Sequence, residues 1–366
     1  MGNADICSLI IIMKKHNFSA GPSILPASVM KKASEAVIDF NGMGLSLIEI
    51  SHRSKEFIAV MERAQDLALE LTGLKSKGYK ALFLQGGASM QFLMTAYNLL
   101  ETKAGYINTG SWSTKAIKEA KLFGEVEEVA SSKDRNFNYI PKGHAIPTDL
   151  DYLHITTNNT IFGTQFQEIP QTDIPLIADM SSDIFSRNID YSKFDLFYAG
   201  AQKNMGPSGT TLVIVKEDLL GKVSRTIPSM MNYQVQLNSD SMFNTPPVFP
   251  IYTSMLTLEW LQENGGISEI EKHNKAKAEL LYNEIDRNSA FEGFAAKEDR
   301  SQMNATFNLA DGVDGSLFDS LWSEANISGL KGHRSVGGYR ASIYNALPLE
   351  SVSLLVEVMK KFEQTL

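Results

Sequence analysis

Cysteine is almost absent. The 366-residue chain has one, Cys7, which excludes an intramolecular disulfide and any CxxC or multi-cysteine metal site. Histidine is scarce as well, six in all, and none falls in HExxH-like spacing, so no metal site is expected. Positive charge is in deficit: 34 Lys and Arg against 42 Asp and Glu give −8. That balance argues against a nucleic-acid or anionic-membrane binder, since both need a basic face. The long apolar run near the start, Ile6–Met13, is too short for a bilayer span of about 20 residues. It has Asp5 but no Lys or Arg before it, and no small-residue cleavage site follows, unlike a signal peptide. Met13-Lys14-Lys15-His16 reads as a more natural beginning, which makes residues 1–12 a start-site extension and residues 1–16 a disordered N-terminal segment. A reducing, cytoplasmic compartment fits the lone cysteine.

What is present is an ordinary globular composition, 43% hydrophobic with no long charge block, and enough chain for about two or three domains. Short apolar runs at Lys80–Leu84, Tyr106–Asn108, Leu153–Thr157, Leu176–Ala178, Leu196–Ala199 and Thr211–Val215 predict strands covered on both faces. Between them Met90, Leu93, Met94, Tyr97 and Leu100 recur at helical spacing. Alternating strands and helices predict an α/β fold, a large domain with a mostly parallel central sheet flanked by helices. After Gly265-Gly266 the texture changes. Ile267, Ile270, Leu281 and Ile285 predict a long amphipathic helix, Thr306–Leu309 and Arg340–Tyr344 strands, and Val352, Leu355, Val356 and Met359 a terminal helix. The expected division is a large domain over 27–265 and a smaller α+β domain from 17–26 and 266–366.

Chemistry concentrates where strands end. Lys203 follows an apolar strand and precedes the small-residue loop Asn204-Met205-Gly206-Pro207-Ser208-Gly209. A lysine there is ordinarily solvated, but one that a ligand can approach closely can form a Schiff base with an aldehyde cofactor. Asp179 ends another apolar strand. It could cap a turn; paired with Lys203 it could keep a pyridine nitrogen protonated. Gln85-Gly86-Gly87-Ala88-Ser89-Met90 follows a strand and opens a helix, a phosphate cradle without the lysine of a Walker loop. Trp112 could stack on a flat cofactor or belong to the core. The pairs His52-Arg53 and His333-Arg334, with Arg340 beyond, read either as solvated loops or as a pocket for a multiply anionic substrate.

These motifs together resemble the phosphoserine aminotransferase family, fold-type I, class V pyridoxal-phosphate enzymes. The resemblance rests on His52–Phe57, Ala199–Gly209, Asn244-Thr245-Pro246-Pro247 and His333–Ala346, and runs from Asn17 to the C-terminus. It implies pyridoxal 5'-phosphate, one per subunit, in a Schiff base with Lys203, which would then shuttle the proton between Cα and C4′. Asp179 would pair with the pyridinium nitrogen, Trp112 stack on the ring, and Thr160 bond the phenolic oxygen. Ala88, Ser89 and Gln202 would hold the phosphate, with Asn244 and Thr245 from a second subunit of a homodimer. Arg340 would bind the substrate α-carboxylate; His52 and Arg53, with His333 and Arg334 of the neighbouring subunit, would bind the distal anion.

The implied reaction is ping-pong transamination between L-glutamate and 3-phosphohydroxypyruvate, giving 3-phospho-L-serine and 2-oxoglutarate in serine biosynthesis. Some bacterial members also act in pyridoxine biosynthesis. Two departures stand out: Gly86–Gln91 lacks an arginine that many members carry in the cradle, and Ala20 replaces a serine of some relatives. The alternatives are another class V aminotransferase, such as an alanine–glyoxylate or serine–pyruvate enzyme, or a non-catalytic pyridoxal-phosphate binder. Cysteine desulfurase is a poor fit, because Cys7 precedes the matching region.

Overall fold

The computed structural model describes residues 15–366. The expected start-site extension over residues 1–12 lies outside the described residues, as does the disorder expected for residues 1–14. The extension expected through residue 16 ends earlier, because His16–Asn17 (β1) pairs in parallel with Ile327–Ser328. The chain then forms α1 (Ala27–Ile38) and α2 (Lys55–Leu71). Ser54 starts α2 by accepting the Phe57 N–H at 3.3 Å. Phe57, Val60, Met61, Ala64, Leu67 and Ala68 then bury one face at helical spacing.

Strands and helices now alternate: β2 (Tyr79–Leu84), α3 (Gly87–Leu99), β3 (Lys103–Asn108), α4 (Ser111–Ala120), β4 (Glu125–Ser131), β5 (Tyr152–Thr156), β6 (Leu176–Asp179), β7 (Leu196–Gly200) and β8 (Thr211–Lys216). They build one seven-stranded sheet of order β2-β8-β7-β6-β5-β3-β4, in which only β8 runs against the rest. Apolar runs foretold every one of these strands except β4. That strand lies at the sheet edge and is only partly covered, so Glu125, Glu127 and Glu128 are tolerated and no apolar run marks it.

The expected face of α3 needs correction. Gln91, Phe92, Met94, Thr95, Ala96, Asn98 and Leu99 are buried, while Leu93 and Tyr97 are only half-buried. The reason is a second layer over the helix. Tyr233 donates its hydroxyl to Gln91 Oε1 at 2.6 Å, and Asn98 donates to the Met231 carbonyl at 2.7 Å. Polar positions can be buried there because each finds a partner.

The remaining elements are α5 (Tyr233–Leu237), α6 (Val248–Glu263), α7 (Gly266–Arg287), β9 (Phe291–Gly293), β10 (Asn304–Leu309), α8 (Ser316–Glu324), β11 (Ile327–Ser328), β12 (Tyr339–Ser342) and α9 (Leu349–Glu363). A second, antiparallel sheet has the order β12-β10-β9. Helix α7 bridges two cores. Ile267 and Ile270 pack with the main-sheet core, whereas Ala278, Leu281 and Ile285 join Phe291, Phe307, Phe318 and Phe362 under the second sheet. Among the described residues no helix is long and apolar enough to cross a membrane, and no group of three or more His, Cys, Asp or Glu is placed to hold a metal.

Candidate active site

The cradle, Trp112, Thr160, Asp179 and Lys203 lie at or after the carboxyl ends of main-sheet strands, where ligands of open α/β sheets gather. The register carries this across the sheet: Leu84 of β2 faces Thr211, Thr211 faces Gly200 of β7, Tyr198 faces Asp179 of β6, and Asp179 faces Thr156 of β5. Neighbouring strands lie about 4.8 Å apart. The cradle after β2, Trp112 after β3, Thr160 after β5, Asp179 on β6 and Lys203 after β7 therefore share one edge.

At its centre the Lys203 ammonium donates to Thr160 Oγ1 at 2.7 Å and sits 5.7 Å from the Trp112 ring centroid. Burial pushes the Lys203 pKa down to about 8; Asp179 opposes this, Arg340 adds to it, and Asp183 opposes it more weakly. A neutral, nucleophilic amine is thus accessible near physiological pH. Asp179 is buried, and burial raises its pKa, while the charge of Lys203 and the Ser181 hydrogen bond pull it back. One carboxylate oxygen accepts the Ser181 N–H at 2.9 Å. Its place at the carboxyl end of β6, beside the Lys203 charge, suits the carboxylate to a protonated ring nitrogen.

A pH dependence follows. Cofactor-free protein is expected to capture added pyridoxal phosphate faster as pH rises through about 8, levelling off above it. Rapid-mixing absorbance across a pH series checks this, and a midpoint at the ordinary 10.5 would contradict it. The same shift makes this lysine's contribution to stability grow with pH between about 8 and 10.5, because the unfolded chain holds the extra proton there.

The cradle is formed by backbone. Gly86 has φ 93°, in the left-handed region, and a Cβ at this position would stand 2.5 Å from Met90 Cβ. It turns the chain directly into α3, whose first N–H groups have no intrahelical acceptor. These N–H groups and the helix dipole suit a phosphate. Ala88 is half-buried and Ser89 exposed. The cradle adjoins the lysine loop: Thr210 Oγ1 donates to the Leu84 carbonyl at 3.4 Å, and the Thr210 carbonyl accepts the Ala201 N–H at 3.1 Å. Gln202 is next in the chain and half-buried. Trp112 Nε1 is buried without a partner among the described residues, a donor suited to an acceptor on a ligand. These residues fit the pyridoxal phosphate that the resemblance implies.

The second sheet contributes Arg340, from β12. Its guanidinium donates to the Thr160 carbonyl at 3.4 Å, and its buried Nε has no partner among the described residues. Thr160 thereby touches both Lys203 and Arg340. His333 is half-buried nearby; burial, then the charges of Arg340, Arg334 and Lys115, hold its pKa below the ordinary value. A buried amide network fastens the two sheets together. Asn345 N–H donates to Asn204 Oδ1 at 3.0 Å, Asn274 to Asn345 Oδ1 at 2.8 Å, and Asn158 to Asn304 Oδ1 at 2.8 Å. The N-terminal segment adds a strap, with Ser23 N–H donating to the Gln202 carbonyl at 3.0 Å and Tyr344 to the Ala20 carbonyl at 2.8 Å.

Other expected residues stand apart within one chain. His52 is half-buried and Arg53 exposed, with neither bonded to Lys203, Asp179 or Arg340 among the described residues. Arg334 is exposed. Thr245 lies against its own chain's cradle, its carbonyl accepting from Gln85 at 3.0 Å, and Asn244 lines a cavity beside Gly86 and Met90. Sequence reasoning passed over Lys115, whose ammonium rests 4.4 Å from the Trp112 ring centroid. Its position three residues along the same helix was the available signal. The amide network had no such signal, since its members are scattered along the chain.

The aminotransferase class-V family model matches residues 15–355. Phosphoserine aminotransferase from Flavobacterium johnsoniae is 65% identical over 353 residues, covering 96% of this chain and 99% of that protein. A solved phosphoserine aminotransferase, studied for radiation damage of its Schiff base, superposes with a TM-score of 0.93 at 46% identity, covering 96% of this chain and 100% of that one. The pyridoxal-phosphate-bound phosphoserine aminotransferase of Trichomonas vaginalis gives 0.89 at 35% identity, with 95% and 100% covered.

Proposed function

Because the chain belongs to the phosphoserine aminotransferases of aminotransferase class V, we propose that it reversibly transfers the amino group between L-glutamate and 3-phosphohydroxypyruvate. The products are 3-phospho-L-serine and 2-oxoglutarate, formed in the cytoplasm as a step of L-serine biosynthesis. The observation that carries this reading is the meeting of Lys203, Asp179, Thr160 and Arg340 at one sheet edge, with Arg340 Nε unpartnered.

Pyridoxal phosphate, which Lys203 would hold, would supply an electrophilic carbon and a ring that accepts electrons. Ala88 and Ser89 with Gln202 would hold its phosphate, joined by Asn244 and Thr245 of a second subunit. Asp179 would keep the ring nitrogen charged, Trp112 would cover the ring and Thr160 would bond the phenolic oxygen. The Lys203 amine would take and hold the proton from substrate Cα. Arg340 fixes the α-carboxylate through a planar, permanently charged fork.

His52 and Arg53, with His333 and Arg334 of the neighbouring subunit, bind the distal anion. Among the described residues none of the four is hydrogen-bonded to Lys203, Asp179 or Arg340 of its own chain, which accords with a homodimer whose sites lie at the interface. One distal pocket serves both the γ-carboxylate of glutamate and the phosphate of the partner substrate, as a ping-pong cycle requires. The division into a large domain, 27–265, and a smaller one, 17–26 with 266–366, belongs to the same proposal; Ala278, Leu281 and Ile285 of the second core support it, while Ile267 and Ile270 at the start of α7 pack with the main-sheet core.

The test is a half-reaction. Holoprotein mixed with 3-phospho-L-serine and no oxo-acid is expected to release one 3-phosphohydroxypyruvate per site, then regain its original absorbance on adding 2-oxoglutarate. L-serine or L-alanine reacting as well as phosphoserine would refute the reading, and a spectrum that never changes would indicate a binder.

A further inference from the structure

Helix α7 carries a buried lysine that the reaction above does not use. Lys277 is 1% exposed, a place where lysines are seldom found. Its ammonium donates to three backbone carbonyls of one turn, Ile343 at 2.9 Å, Tyr344 at 2.6 Å and Leu347 at 3.1 Å. An ammonium has three N–H donors and no acceptor, so the three carbonyls use it fully. Burial pushes its pKa down to about 7, while donation to three acceptors favours the charged form. The turn that this costly buried cation fastens lies between the two parts of the site. It starts directly after β12, the strand that carries Arg340. Within it, Asn345 N–H donates to Asn204 Oδ1 at 3.0 Å, and Asn204 is the residue after Lys203. Asn274, one helical turn before Lys277, donates to Asn345 Oδ1 at 2.8 Å, and Asn204 donates to the Ile184 carbonyl at 2.8 Å. Both Asn345 and Asn204 are buried. A continuous run of contacts therefore leads from Lys277, through residues 343–347, to the loop of Lys203.

We infer that Lys277 is a positioning residue, its ammonium fixing the turn over residues 343–347 that sets the Lys203 loop against the Arg340 strand. The inference rests on the proposed reaction, in which Arg340 holds the substrate and Lys203 takes its proton. Such a transfer tolerates little misplacement, and a shift of about 1 Å can cost about 10²-fold. The same link holds the Lys203 loop in place, and burial is the main cause of the lowered Lys203 pKa.

The experiment compares native holoprotein with Lys277→Met, which keeps the stem and removes the donors, and Asn204→Ala, which removes the acceptor at the far end of the link. Each is expected to lower kcat for 3-phosphoserine, per bound cofactor, by about 10- to 100-fold. The double variant should lose no more than the worse single one, because both changes break one link. Losses that multiply would overturn the role, as would a native kcat in either variant. A second readout needs no substrate. Cofactor-free Lys277→Met and Asn204→Ala should capture pyridoxal phosphate with a midpoint moved above about 8, since a loosened loop lets water reach the amine. Asp179, Arg340 and Asp183, the charged groups acting on Lys203, are intact in both variants. A lysine that only stabilises the fold would lower the urea midpoint and leave that capture profile unmoved, which would also overturn the role. Should Lys277→Met not fold, a native kcat and a native capture profile in Asn204→Ala overturn it alone. Native protein that does not react with phosphoserine would instead overturn the reading beneath, and the capture profiles would still decide the part played by Lys277.

Discussion

Replacing Lys203 by Ala is expected to reduce transamination by at least about 10⁴-fold, the upper range for loss of a positioned acid–base group, because in the proposed reaction the same amine also anchors the cofactor. The fold should survive. The Lys203 side chain is half-buried and its ammonium makes one side-chain hydrogen bond, to Thr160 Oγ1 at 2.7 Å. Thr160 itself is held by the small sheet through its carbonyl and Arg340. Turnover with 3-phosphoserine, alongside urea unfolding midpoints, separates the two effects. Sustained turnover without an added amine would contradict the role given to Lys203. A collapsed unfolding midpoint would show that the lysine matters to packing as well.

The second large effect is expected at Asp179. Asp179→Asn is nearly isosteric and can still accept the Ser181 N–H that Asp179 takes at 2.9 Å, so geometry is preserved while charge is lost. In a buried, weakly screened position a fixed charge opposite the ring nitrogen has a large electrostatic effect. The expected loss of kcat is about 10²–10³-fold, the range found when one preorganised electrostatic group is removed. A second readout distinguishes this from misfolding. Asp179 is the main influence raising the Lys203 pKa against burial, so the variant's capture of pyridoxal phosphate should reach its plateau at lower pH than native protein. Unchanged kcat together with an unchanged pH profile would mean that the two groups do not share a cavity.

Much of this arrangement was legible in the chain. Leu176–Ala178 and Leu196–Ala199 are apolar on consecutive positions because helices cover both sheet faces, and the charged residues that interrupt them, Asp179 and Lys203, stand at the carboxyl ends where sites form. The glycines of the cradle were legible for a similar reason: Gly86 adopts a left-handed φ that other residues avoid. Elsewhere local pattern misled. β4 carries too many glutamates to read as a strand until its edge position is known. The periodicity of α3 pointed to the wrong face, since Gln91 and Asn98 become buried only when Tyr233 and Met231 arrive from far along the chain.

Composition and local pattern by themselves determined the layered α/β class, the two core-forming regions and which residues have chemistry to offer, because backbone preference and side-chain periodicity act over a few residues. Tertiary structure alone decided the distances that turn those residues into a site. Thr160 comes between Lys203 and Arg340, Asn345 reaches Asn204, and the charge of Lys115 bears on His333. Burial and electrostatic fields depend on what the whole fold brings close in space and on how much water it removes, and neither quantity is written in the order of residues along the chain.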